Sequence, residues 1–338
     1  MKKNYLLLIL TFSLMLILAA CSDAESGGEA EAEGDVAEGD TKEEVIDAGE
    51  EDSPEIAVVL KGSDAEYFKL AEAGAKQAFE DFKVNGKFLA ASTQTQEQEL
   101  INILEDLSTD EPDGLVLMPS TGSVIPTLEK YSEADIPVTL IDTDLDWDDK
   151  LNYIGTDNYD AGQEGGEFLH SLLSEGDEVA IIEGVSGAAQ NEARVSGAKD
   201  YMEDNGLEVV TVQAADFDRT KAVNIMENII TANPDVKGVF TANDEMALGA
   251  YQAIQTSGAD IKIIGVDGTS DALISIADGE VDGAVQQLPY EMAYQGVENI
   301  IKHLDGEEID STIDSGTKLI NDENAQEILD DVNEMLGK

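Results

Sequence analysis

From residue 56 onward, apolar and polar positions alternate in two rhythms. Short, nearly unbroken apolar runs occur at 56–60, 114–118, 137–141, 178–182, 209–212, 238–240 and 261–265. Between them lie longer stretches whose apolar residues recur every three to four positions, as from Tyr67 to Phe82. A continuous apolar run predicts a strand buried on both faces, and the longer spacing predicts an amphipathic helix. Strand alternating with helix predicts parallel sheets covered on both sides. There are too many strands for one small sheet, so the pattern predicts an α/β protein of two doubly wound parallel-sheet lobes.

In such sheets ligands sit at the carboxyl ends of the strands. The polar residues just beyond each run therefore carry the functional interest: Asp142, Asn243 with Asp244, Asp267, and Gln286 with Gln287. Any one of them has an ordinary use as a helix N-cap. Several at equivalent places in both halves point to a binding cleft.

The first 53 residues follow neither rhythm. Lys2 and Lys3 precede an apolar run from Tyr5 to Leu18, which ends in Leu18-Ala19-Ala20-Cys21. This reads as an export signal over 1–21, too short for a comfortable membrane span. Its end resembles a bacterial lipobox, which implies lipid attachment at Cys21 and a membrane anchor on the outer face of the cell membrane. Residues 22–53 hold 14 Asp/Glu, one Lys and almost nothing large and apolar, the composition of a disordered acidic tether.

The formal charge of the chain is −54, with 73 Asp+Glu against 19 Lys+Arg. That balance excludes nucleic acid as a partner, since neutralising phosphates takes clustered cations. The single Cys excludes an internal disulfide and makes a cysteine-rich metal site untenable. With so few cations to pair the carboxylates, folding is expected to depend on screening by salt.

Signals for enzyme chemistry fail on inspection. Asp142, Asp144, Asp146 and Asp148 alternate like the start of a calcium loop, but Trp147 stands where the turn needs Gly and Tyr153 where a bidentate Glu belongs. Gly184–Ala188 follows a strand, yet matches neither a dinucleotide nor a phosphate-loop pattern. His170 and His303 stand alone, and paired carboxylates carry no information in so acidic a chain. The expectation is a binding protein without catalytic residues, metal or cofactor.

One resemblance is specific. Ala215-Asp216-Phe217-Asp218-Arg219, Asn233-Pro234-Asp235-Val236 and the run from Ala242 to Ala250 are similar to the ribose-binding proteins of sugar ABC importers. Gly265-Val266-Asp267-Gly268-Thr269, Gln286-Gln287-Leu288-Pro289 and Thr156-Asp157-Asn158 extend the similarity, which runs in order from about residue 55 to 320. It implies a type I periplasmic-binding-protein fold with a three-segment hinge near Thr156–Asp157, Gln287–Leu288 and Gly316–Thr317. The lobes would then be 54–156 plus 288–316 and 157–287 plus 317–338.

The resemblance also implies a monosaccharide held between the lobes. Tyr67, Phe68 and Phe217 stand at the family's aromatic positions, where flat rings suit a sugar's C–H faces. Asp142, Arg194, Asn243, Asp267 and Gln287 stand where side chains read its hydroxyls. Two positions depart from the ribose pattern: Ala65 replaces an amide residue, and Thr143 replaces an Arg. Asp64, Glu66 and Asp144 are the nearby candidates to fill those places. The implied partners are the permease subunits of an ABC transporter, with the binding protein itself a monomer. A sensor that presents sugar occupancy to a receptor kinase or chemoreceptor is the alternative. A sugar-responsive repressor would begin with a DNA-binding helix pair, and this chain begins with an export signal.

Overall fold

The computed structural model describes residues 42–50 and 52–338, so Cys21 and the export signal lie outside it. The chain runs β1 (Lys42–Asp47), β2 (Glu55–Leu60), α1 (Glu66–Phe82), β3 (Asn85–Ala90), α2 (Glu97–Asp110) and β4 (Gly114–Met118). It continues with α3 (Ile125–Glu133), β5 (Val138–Ile141), β6 (Asn152–Gly155), α4 (Asn158–Ser171), β7 (Glu178–Glu183) and α5 (Ala189–Asp204). Next come β8 (Glu208–Ala214), α6 (Arg219–Ala232), β9 (Val236–Thr241), α7 (Asp244–Ser257), β10 (Lys262–Asp267) and α8 (Ser270–Ala277). The last elements are β11 (Gly283–Gln286), α9 (Pro289–Leu304), β12 (Thr312–Asp314), β13 (Lys318–Ile320) and α10 (Ala325–Met335).

Two sheets result, as the alternation predicts. The first has the order β1-β3-β2-β4-β5-β6-β12 and the second β13-β11-β10-β9-β7-β8. In each, five consecutive parallel strands take the doubly wound order in which the second strand lies outside the first and the third starts the other direction. Both sheets add an antiparallel edge strand, β1 on β3 and β13 on β11. The chain passes between sheets three times: from β6 into α4, from β11 into α9, and from β12 into β13.

Continuous burial of the strands explains their sequence. All five residues of β4 and all four of β5 are buried, because helices cover both faces. Ile56, Val58 and Leu60 face one core of the first lobe, with Phe79 and Phe88, while Ala57 and Val59 face another, with Leu104 and Tyr131. The second lobe has one core around Ile181, Phe240, Ile264 and Val285.

Among the described residues, β1, β3, β6, β11, β12 and β13 lie outside the apolar runs, and two of them show why. β3 reads Asn-Gly-Lys-Phe-Leu-Ala, and its Gly86 is dictated by packing: a Cβ there would run into the ring of Phe79. The other strand corrects an expectation. Lys42–Asp47, inside the segment whose composition predicts a tether, forms β1 instead. This strand is mostly exposed and holds to the sheet by its ladder to β3 and by ion pairs. Lys76 bonds Glu44 at 2.6 Å, Lys87 reaches Glu43 at 3.2 Å, and Lys42 pairs with Glu72. A charged edge strand guards a sheet against pairing with other chains.

Candidate ligand-binding site

Carboxyl ends of both sheets point toward one cavity between the lobes. Lys61 follows β2, Gln94 follows β3 and Asp142 follows β5; Phe217 follows β8, Asn243 follows β9, Asp267 ends β10 and Gln287 follows β11. Tyr67 and Phe68 enter from the first turn of α1, and Gln190 and Arg194 from α5. The space these side chains surround is about 370 Å³, its opening to solvent included. All eight side chains that the resemblance nominates, Tyr67, Phe68, Asp142, Arg194, Phe217, Asn243, Asp267 and Gln287, line it.

The first-lobe wall is built around a satisfied carboxylate. Asp142 is 3% exposed, and Tyr67 donates its phenol to one oxygen at 2.6 Å. The other oxygen accepts from Thr143 at 2.7 Å and pairs with the ammonium of Lys61, which is 4% exposed. Burial alone would raise this carboxyl; the Lys61 charge and three hydrogen bonds outweigh it and hold the group below its ordinary value. Tyr67 thus orients Asp142 as well as offering a ring, which meets Phe68 edge-on with centroids 5.9 Å apart.

Lys61 is the residue that pattern-reading misses. The cation absent at Thr143 enters from the end of β2 instead, and Thr143 accepts a hydrogen bond from it at 3.1 Å. Its signal was present: a Lys directly after a buried strand in a chain poor in cations. None of the nearby acidic candidates does this work. Asp144 pairs with Lys150 and Glu66 with Lys338, and neither they nor Asp64 line the cavity. Gln94 and Gln190 are the other two polar side chains not anticipated.

The second-lobe wall is held differently. Arg194 is 2% exposed; its Nε and one terminal nitrogen donate to Asn158 Oδ1 at 3.1 and 2.7 Å, and the other nitrogen donates to the Ala242 carbonyl. Close packing of α4 on α5 makes this possible, since a Cβ at Gly162 would strike the Arg194 carbonyl. Asn243 caps α7, accepting from Met246 N–H at 3.0 Å, so the ordinary use of Asn and a place in the cavity coincide. Phe217 has φ of 58° and lays its ring over Gly184.

Asp267 accepts a hydrogen bond from Gln287 Nε2 at 2.8 Å. Burial pushes its carboxyl up to about 7, against the opposing pull of Arg194 and Gln287. Gln190 Oε1 and Gln287 Oε1 are buried without a hydrogen-bond partner among the described residues. Two empty acceptors and an under-satisfied carboxylate, beside aromatic rings, are complementary to a ligand that carries hydroxyl donors and apolar faces.

Comparison with known proteins agrees with this geometry. The chain is 37% identical to the ribose import binding protein RbsB of Bacillus subtilis over 234 residues, covering 69% of this chain and 76% of that one. It is 29% identical to the D-ribose/D-allose-binding protein of Pseudomonas aeruginosa, over 80% of this chain and 89% of the relative. Among solved structures, a carbohydrate transporter solute binding protein from Agrobacterium radiobacter, in complex with D-arabinose, superposes with a TM-score of 0.79. Identity there is 28%, and the match covers 85% of this chain and all of that one. Residues 56–308 match the periplasmic binding protein domain, and the chain belongs to that family.

Proposed function

We propose that this protein captures a monosaccharide between its lobes and delivers it to the permease of an ABC importer. The observation that carries the reading is the convergence of both sheets' carboxyl ends on a single cavity, whose buried amide oxygens lack partners and whose aromatic rings flank charged groups. Tyr67, Phe68, Asp142, Arg194, Phe217, Asn243, Asp267 and Gln287 are proposed as the ligand-binding residues, with Lys61 supplying the first-lobe cation. The relatives named for ribose and for ribose with allose support an aldose as ligand. Lys61 with Thr143 and Ala65 makes the first-lobe wall a different reader from one built on Arg and an amide.

The lobes are proposed as 54–156 plus 288–316, extended at the sheet edge by β1 (Lys42–Asp47), and 157–287 plus 317–338, a division supported by the remaining strands that each sheet gathers. Ligand that prefers the closed arrangement shifts the lobe equilibrium, and the permease would recognise that arrangement. The family places the protein outside the cytoplasm, and the Leu-Ala-Ala-Cys run supports an anchor through lipid on Cys21.

Isothermal titration of the protein with D-ribose, D-allose, D-arabinose, D-glucose and myo-inositol tests the ligand class. One-to-one binding of an aldose in the micromolar range or tighter is expected; a folded protein that binds none of them ends the sugar reading. Replacing Cys21 by Ala should release the protein from the membrane fraction, and retention there would end the anchor.

A further inference from the structure

Directly behind Asp267 lies a second carboxylate that does not touch the cavity. Asp244, the first residue of α7, is 0% exposed. Its Oδ2 accepts the backbone N–H of Gly268 at 2.8 Å, the N–H of Thr269 at 2.8 Å and the Thr269 hydroxyl at 3.1 Å. Its Oδ1 has no hydrogen-bond partner among the described residues and packs on Gly265, where a Cβ would come within 2.5 Å of it.

The turn that Asp244 grips is the one that aims Asp267. Asp267 and Gly268 have φ of 134° and 81°, two successive residues in a region that L side chains rarely adopt. Gly268 meets that demand; Asp267 does not, and its backbone must be held there by its surroundings. Thr269 is the N-cap of α8, yet its hydroxyl makes no capping bond and turns to Asp244. A cap that is given up, a glycine kept at 265 and a buried carboxylate therefore share one purpose.

We propose that Asp244 is a positioning residue for ligand binding: by gripping the Gly268 and Thr269 amides it forces the Asp267 backbone into the conformation that presents its carboxylate to the cavity. This rests on the reading of the cavity as a monosaccharide site. Its action on the ligand passes entirely through Asp267, and that separates it from a residue that only supports the fold.

The test is a double-mutant cycle on the full chain, titrated with D-ribose and D-allose, together with amide hydrogen exchange of Gly268 and Thr269 in the ligand-free protein. Asp244→Ala should weaken affinity about 30-fold in the native background, as expected for losing a buried network of three hydrogen bonds. In an Asp267→Asn background it should cost less than about 3-fold, because the group it positions is already disabled. Exchange at both amides should quicken at least about tenfold, since they lose their acceptor. Should Asp244→Ala not fold, Asp244→Asn keeps one carbonyl acceptor and is expected to show the same pattern at about 5-fold. Equal losses in both backgrounds would overturn the proposal. Unchanged exchange at Gly268 and Thr269 would overturn it whether or not any sugar binds. Wild-type protein that binds neither sugar would remove the ligand assignment alone, with exchange still deciding whether Asp244 holds the turn.

Discussion

Two aspartates face the same cavity from opposite lobes, and their surroundings make them different chemical groups. Asp142 has an ammonium and two hydroxyls on its oxygens and sits below its ordinary carboxyl range. Asp267 accepts from Gln287, while Arg194 commits three of its five donors to Asn158 and a carbonyl of its own lobe; burial lifts Asp267 to about 7. The first has three hydrogen bonds in place before any ligand arrives, which leaves about one acceptor site to offer and makes it a rigid part of the wall. The second has acceptor capacity that a sugar hydroxyl would fill. Stability is therefore concentrated on the first-lobe wall and affinity on the second.

The largest effect expected from this contrast is on Lys61. Both members of its pair are almost wholly buried, and removing one partner strands a charge in low dielectric. Lys61→Met should lower the unfolding free energy by about 3–5 kcal/mol in urea titrations. Adding Asp142→Asn to it should recover much of that. A loss below about 1 kcal/mol would place the pair with ordinary surface bridges and erase the difference between the walls.

Asp267→Asn should behave in the opposite way. Hydrogen bonds to a charged group contribute about 1.5–3 kcal/mol, so sugar affinity should fall roughly 10- to 100-fold. The unfolding free energy of the ligand-free protein should hold or rise, because a desolvated carboxyl has been removed. A stability loss as large as that of Lys61→Met would show that Asp267 is a structural group after all.

That division explains what the sequence disclosed. Strands buried on both faces announce themselves as apolar runs, and residues just after them are candidate ligand groups by topology alone, which is how Asp142, Asn243 and Asp267 stand out. Lys61 also follows a strand, but a lone Lys has no periodicity and its partner lies 81 residues away. β1 is legible only through its cross-strand pairs, since Lys-Glu-Glu-Val-Ile-Asp has the composition of a solvated segment. Gln190 belongs to a helix whose polar residues show no clear face, and only the three-dimensional cavity picks it out.

The same contrast sets a pH dependence. Asp267 holds its proton more tightly in the folded chain than its unfolded value of 3.8, so it favours the ligand-free fold below about pH 4 and loses that contribution as pH rises toward 7. Sugar binding needs the ionised acceptor and should strengthen over that interval. Asp142 shifts the other way, and its contribution fades only as pH falls below 3.8, outside the window. The shift in unfolding midpoint produced by saturating sugar should thus grow from pH 4.5 to 7.5 in the wild type and stay flat in Asp267→Asn. Parallel curves would assign the titration to another group.

The smallest effect tests whether closure can be weakened without touching either wall. Glu66, the first residue of α1, accepts the backbone N–H of Ser270 at 2.5 Å and the Lys338 ammonium at 2.7 Å, both from the other lobe. Burial opposes its ionisation, but those partners keep its carboxyl below the ordinary value. Opening the lobes would break these contacts while leaving the cavity groups intact on their own sheets. Glu66→Gln retains an acceptor and loses the charge, so the closed state should lose about 0.5–1 kcal/mol, or two- to fivefold in affinity. Because Glu66 meets no ligand, the loss should be equal for every sugar that binds, appear in the dissociation rate, and shrink as salt screens the Lys338 pair. A change in the order of preference among sugars would mean that the two walls are not independent of the rim, and that lobe closure itself takes part in selecting the ligand.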